Sequence, residues 1–299
     1  MNSMVWRTAL AGLALSLATV ARSEPLPKDE LERNCWQRYT AERTRVNVRE
    51  PTWVDFSNLR HGYQVRSPFM VEFAVRGMGV VPAGKALAGA GHHHLLIDAR
   101  LPVNIGEKIP FSDTHRHFGK GQTFGVIDVK PGSHTLRLLF ADHDHKPYFV
   151  YSPEITVLVS GPRTPATLRI DPQRFEETCS AWYQEEQSRP RAPGEAARFA
   201  NLRDGESVTS PFVLRLSVDG FGVSAAGVAA ERTGHFVVEA LRDGKPVQKA
   251  DLSNGATQVT MSLPNGSYRL RLHFIDAATR KDLTPVSEQL LVVTAQDRL

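Results

Sequence analysis

The chain has 299 residues, with 36 Lys and Arg against 32 Asp and Glu and a formal net charge of +4. That mild basic excess is spread along the sequence. No Lys/Arg block is interleaved with aromatics, which argues against a nucleic-acid partner. The length suits two domains of roughly 100–150 residues.

Met1 to Arg7 forms a short segment with one positive charge, and Thr8 to Val20 is an apolar run of small and aliphatic residues. Ala21 or Ser23 supplies a small residue before a cut. The run is shorter than the ~20 residues of a membrane span, so the pattern predicts a cleaved signal peptide over 1–23. No lipobox cysteine stands there, and no later segment is apolar enough to span. The expected location is the periplasm, without a transmembrane segment once the leader is removed.

Leu31, Cys35 and Tyr39 follow at i, i+4 and i+8, predicting a short helix with one apolar stripe. A turn-rich β segment then fills the chain to about residue 161. Phe175, Cys179 and Tyr183 repeat the helical stripe behind an Asp171-Pro172 start signal. Pro190 to Gly194 is a polar connector into a second β segment. The expected units are 25–161 and 162–299, each a helix followed by a sandwich, with a boundary near Ser160 to Ala166.

The two segments are copies. Phe56-Ser-Asn-Leu-Arg-His-Gly62 matches Phe199-Ala-Asn-Leu-Arg-Asp-Gly205, and Ser67-Pro-Phe matches Ser210-Pro-Phe. Gly91-His92 matches Gly234-His235, and Gly132 to Phe140 matches Gly266 to Phe274. Phe69, Val71, Phe73 and Val75 answer Phe212, Leu214, Leu216 and Val218 with period two, which marks strands with one wet face. The Gly-x-Tyr-x-Leu-x-Leu run at 266–272 resembles strand F of immunoglobulin-like and fibronectin-like domains. The predicted fold is therefore mainly β: two tandem immunoglobulin-like/fibronectin-like antiparallel β-sandwiches, each preceded by a short α-helix. In that lettering, copy one has B near 67–76, C near 92–99, E near 122–129, F near 134–141 and G near 154–160. A strand C′ or D is expected between 100 and 114. Copy two shows that strand more plainly, at Lys245 to Leu252.

Eight of the eleven histidines fall between His92 and His145. With one strand between C and E, the start of C, the start of E and the end of F meet at one pole. His92, His94, His115, His117, His143 and His145 lie at those places. A His-x-His on a strand sets two imidazoles on one face about 6.5–7 Å apart, and imidazole suits zinc, copper and nickel. Phe236 answers His93, so His93 is expected to face the core. Asp142 and Asp144 are candidates to ligate directly or to orient a histidine. Asp142 also matches Asp276 in the copy that lacks the histidine set, which equally fits a turn cap. Of this pole copy two keeps only His235, with Ala277-Ala-Thr279 near the place of His143 to His145. The bland alternative for the whole set is solvated loop histidines. His134 answers Tyr268 at the opposite pole and reads as a corner hydrogen bond; His61 and His273 read as surface residues. Gly119-Lys-Gly-Gln lacks the spacing of a phosphate loop. No serine or cysteine nucleophile has a recognisable motif, so no catalytic residue is assigned.

Gly-His-His-His-Leu-Leu-Ile-Asp at 91–98, His-x-His-Phe-Gly-Lys-Gly-Gln-Thr at 115–123 and Pro-Gly-x-His-Thr-Leu at 131–136 resemble the bacterial domain of unknown function 4399 family. The match covers about residues 58–160, with the second unit a diverged copy. The resemblance implies an envelope location and a histidine-rich signature, and supplies no activity. Tyr148 stands where the family pattern leads one to expect a further histidine.

Three functions are weighed. The first is a periplasmic copper or zinc carrier, buffer or sensor using three or four of the six histidines. The second is a non-enzymatic adaptor that grips an envelope protein or glycan through the same loops. The third, a metal-dependent enzyme, ranks last because no general base stands in a recognisable relation to the histidines. Cys35 and Cys179, the only cysteines and repeat-equivalent, are expected to pair across a pseudo-two-fold axis.

Overall fold

The computed structural model describes residues 21–46, 52–164, 168–192, 194–228 and 230–295. The leader over Met1 to Val20 lies outside the described residues. The chain opens with β1 (Ala21–Arg22), α1 (Glu30–Arg38) and α2 (Thr40–Arg43). Unit 1 follows as β2 (Trp53–Phe56), β3 (Gln64–Ser67), β4 (Phe69–Arg76), β5 (Gly79–Val80), β6 (Ala90–Ile97), β7 (His115–Phe118), β8 (Phe124–Ile127), β9 (Gly132–Ala141), β10 (Pro147–Tyr151) and β11 (Ile155–Pro162). After α3 (Phe175–Ser188), unit 2 contains β12 (Ala197–Phe199), β13 (Glu206–Thr209), β14 (Phe212–Val218), β15 (Gly222–Val223), β16 (Thr233–Arg242), β17 (Lys245–Asp251), β18 (Gln258–Met261), β19 (Gly266–Asp276) and β20 (Ser287–Thr294).

In unit 1 one sheet runs β2-β4-β8, and the opposing sheet runs β7-β6-β9-β11-β3. All these pairs are antiparallel except β3 with β11. Unit 2 repeats the plan, with β12-β14-β18 facing β17-β16-β19-β20-β13. These are two tandem sandwiches of the immunoglobulin-like/fibronectin-like kind. The period-two residues fill them: Phe69, Phe73 and Phe140 in unit 1, and Phe212, Phe236 and Phe274 in unit 2, are buried in one core that runs through both units. β5 and β15 join the units at Val80 and Val223. Thr123 hydrogen-bonds the backbone of Val218, and its repeat-mate Thr257 does the same to Val75.

One feature departs from the sequence reading. No strand occupies 100–114. The strand after β6 is β7, which carries His115 and His117 and pairs directly with β6. The stretch before it is a loop of turns pinned at Ile109, whose N–H donates to the His145 carbonyl. The helices, whose docking face the sequence left open, make most of their polar contacts with the sandwich of the other repeat, although Glu186 of α3 also pairs with Arg203 of unit 2. Arg43 of α2 forms a buried ion pair with Glu206 and donates to the Asn201 carbonyl, both in unit 2. Gln187 of α3 accepts from Asn58, and Gln184 of α3 accepts from the Gln64 N–H, both in unit 1. Asn58 and Asn201 are repeat-mates, so the exchange is symmetric: Asn201 in turn donates to the Arg43 carbonyl. Where α1 and α3 cross, Cys35 and Cys179 form a disulfide with Cα atoms 5.5 Å apart, beside the stacked rings of Tyr39 and Tyr183.

Candidate metal centre

The site begins with a close approach of backbone. A Cβ at Gly91 would lie 2.1 Å from the Ala141 carbonyl oxygen, so only glycine lets β6 enter the sheet there against β9. Alternation along β6 then turns His92 and His94 to one face and His93 to the other. His93 packs between Phe73 and Phe140 in the core, as its repeat-mate Phe236 predicts. Burial without a hydrogen-bond partner among the described residues, together with the neighbouring His92, pushes its pKa down to about 3.

The outer face of β6 is covered by the 99–114 loop, which lays Ile109 against Leu96, Leu139 and Ala141. His92 and His94 lie at the edge of this small second core, and both are fully buried. The β6–β7 ladder places His117 directly opposite His94. His145 arrives from the β9–β10 turn, where it holds a left-handed φ of 67°. One ligating atom from each of His92, His94, His117 and His145 lies within 4.8 Å of the other three. His92 Nε2 is 3.0 Å from both His94 Nε2 and His145 Nδ1. Imidazole nitrogens at that spacing share either a proton or an ion. Four nitrogens at ~2.0–2.1 Å from one zinc ion would be about 3.3 Å apart.

Electrostatics keep the inner pair neutral. Desolvation, then the His117 and His145 imidazoles, push His92 down to about 3. Desolvation, then its histidine neighbours, push His94 down to about 2. Desolvation, then His145, lowers His117. A cluster of neutral imidazoles with free lone pairs is the state that binds a transition metal.

Two of the six candidate ligands do not join. His115 sits across from Leu96, two residues further along the ladder, and its Nδ1 faces Ser112 and Thr114. His143 contributes its backbone carbonyl to Gly84 and is outside the cluster. The carboxylates also lie elsewhere. Asp142 Oδ1 accepts from the Asp144 and Lys146 N–H groups and caps the turn, and Asp144 pairs with Lys108. Neither hydrogen-bonds a cluster histidine, so the turn-cap reading of Asp142 is the one observed. His134 makes the corner contact, to the Lys130 carbonyl and to Asp98, matching the bond from Tyr268 to Pro264. Burial opposes the charge on His134, but those hydrogen bonds and the Asp98 carboxylate outweigh it and raise its pKa. Tyr148 donates to the Ala90 carbonyl instead of joining the cluster.

Two neighbours escaped the sequence reading. Phe111 packs on the rings of His94, His117 and His145, although it is itself 59% exposed. Gly119 lies beneath the His117 ring, where a Cβ would come within 2.0 Å of Cε1. Its role is to make room for an imidazole. This placement separates the histidines by test. His115→Ala and His143→Ala should each leave metal affinity within about threefold of wild type in a calorimetric titration. A tenfold or greater loss in either would return that residue to the ligand set.

No curated protein matches the chain. Among solved structures it is similar to the fibronectin(III)-like modules of Clostridium thermocellum CbhA, at 12% identity over 81% of this chain and 94% of that one, with a TM-score of 0.23. It is also similar to a two-domain fibronectin type-III segment of chicken tenascin, at 9% identity over 81% and 99%, with a TM-score of 0.22. Scores of this size carry no weight on function. The family model described as Domain of unknown function (DUF4399) matches residues 71–160 and 214–295, one stretch in each sandwich and together more than half of the chain. The chain belongs to the DUF4399 family and carries its domain twice.

Proposed function

We propose that the protein is an exported, periplasmic metal-binding protein that carries, buffers or senses copper or zinc. The carrying observation is the convergence of His92, His94, His117 and His145, with ligating atoms all within 4.8 Å of one another. An all-imidazole set favours zinc or copper over hard cations, which take oxygen ligands. Among the described residues no helix is long and apolar enough to cross a membrane, a statement that leaves β-barrels aside. The deciding experiment is calorimetry with zinc and with copper on protein purified without a histidine tag or a nickel column. One saturable ion per chain is expected. Absence of saturable uptake of either metal overturns the reading.

Acid should act on the same groups. An unfolded histidine titrates near 6.5, whereas His92 and His94 in the fold are held down to about 3 and about 2. Below pH 6.5 the unfolded chain gains protons that the fold refuses. Stability present above that pH is therefore lost as pH falls toward 3, by at most about 1.4 kcal/mol per pH unit for each histidine. Urea midpoints of the metal-free protein should fall from pH 7 to pH 5, and by less in His94→Phe. An equal fall in both proteins would show that His94 is not one of the groups responsible.

A second reading, an adaptor for an envelope protein or glycan, is favoured by one observation. The loop over the site exposes Val103 almost completely, with Ile105 and Phe111 more than half exposed. Such apolar tips suit a protein partner. Binding of envelope material that persists in chelator would favour it.

A further inference from the structure

Unit 2 presents the same four backbone positions at its own equivalent pole. His235 follows Gly234 as His92 follows Gly91, and a Cβ at Gly234 would meet the Ile275 carbonyl just as one at Gly91 meets that of Ala141. His94 pairs across the ladder with His117, and the corresponding Val237 pairs with Asp251. The turns correspond as well. The Asp142 N–H donates to the Lys146 carbonyl and His145 N–H to the Asp142 carbonyl, while Asp276 N–H donates to Lys281 and Arg280 N–H to Asp276. His145 and Arg280 share a left-handed backbone, with φ of 67° and 62°. The unit 2 turn is one residue longer, which is why Arg280, and not Ala277 to Thr279, stands at the place of His145.

The set His92, His94, His117, His145 is thus replaced by His235, Val237, Asp251, Arg280, and the replacements bind one another. Arg280 Nη1 donates to His235 Nε2 at 2.7 Å, and Nη2 pairs with Asp251 Oδ2 at 2.9 Å. His235 is fully buried. A guanidinium is charged at every working pH and needs planar acceptors, which a carboxylate and one imidazole lone pair supply. Val237 has nothing to ligate and fills space.

We propose that Arg280 is a built-in cation occupying, in unit 2, the seat that a divalent transition-metal ion takes in unit 1. Unit 2 is then a latent metal site, closed by its own side chain. The identity of the ion rests on the metal reading of unit 1; the equivalence of the two seats does not.

The test uses the full chain. Val237→His, Asp251→His and Arg280→His together should raise zinc stoichiometry from one to two ions per chain. A variant that keeps its melting transition and still binds one ion overturns the proposal. Should that variant fail to fold, the reverse exchange decides. His94→Val, His117→Asp and His145→Arg in unit 1 should give a protein that binds no zinc and melts at or above metal-free wild type, unchanged by chelator. Melting clearly below metal-free wild type overturns the equivalence. If wild type itself binds no metal, the functional reading falls, and the reverse exchange still tests the seat.

Discussion

Alanine at both His92 and His94 is expected to lower zinc or copper affinity at least a hundredfold, which in calorimetry removes the saturable heat. The two residues supply half of the four-nitrogen set and are its two fully buried members. Loss of a partner that merely orients a ligand costs 10–100-fold in affinity, so loss of two ligands should exceed that. The fold should survive, because both side chains leave the main core untouched: it is His93 that packs between Phe73 and Phe140. Far-ultraviolet circular dichroism separates lost binding from lost structure. Equal metal uptake by wild type and the double variant would remove the β6 pair from the site and leave the cluster without a function.

The second large effect belongs to the disulfide. Cys35 and Cys179 close a loop across a sequence separation of 144. Chain entropy alone sets an upper value of about 5 kcal/mol for such a loop, and measured losses run at about 2–5 kcal/mol. Cys35→Ser with Cys179→Ser should therefore lower the unfolding free energy by several kcal/mol, read from urea titrations of the oxidised protein and the variant. Thiol counting on unfolded, unreduced protein checks the premise: two reactive thiols would show that the bond does not form.

Much of this architecture is written locally. Phe69, Val71, Phe73 and Val75, with Leu136, Leu138 and Phe140, recur at period two and so mark the strands and the core face. The expected wet face of β4 is itself covered, with Met70, Glu72 and Ala74 all buried. Duplication then supplies a control, since Phe236 beside His93 reveals which imidazole faces inward. The selection within the histidines is different in kind. His115 and His117 are identical to a sequence reading, on one face of one short strand. Only the ladder register, His117 against His94 and His115 against Leu96, separates the member of the cluster from the bystander. That register depends on how the 99–114 loop returns, and a turn-rich loop carries no periodic signal. The turn at 276–281 hid Arg280 for a related reason: one inserted residue shifts the alignment while hydrogen bonding restores the geometry. The helix stripes predicted a packed face correctly, but amphipathic spacing specifies that a helix must dock, not on which sandwich.

The helix placement has a consequence for how such a chain can exist at all. A polypeptide with one helix and one sandwich of this design could satisfy Asn58, Asn201 and the Arg43–Glu206 pair only by trading helices with another molecule, as a domain-swapped homodimer does. Its folded fraction would then depend on protomer concentration. Fusing the two copies turns that bimolecular trade into an internal one at an effective concentration set by the connector. The tandem chain is in this sense a swapped dimer made dilution-proof, with its intermolecular staple converted into the Cys35–Cys179 bond.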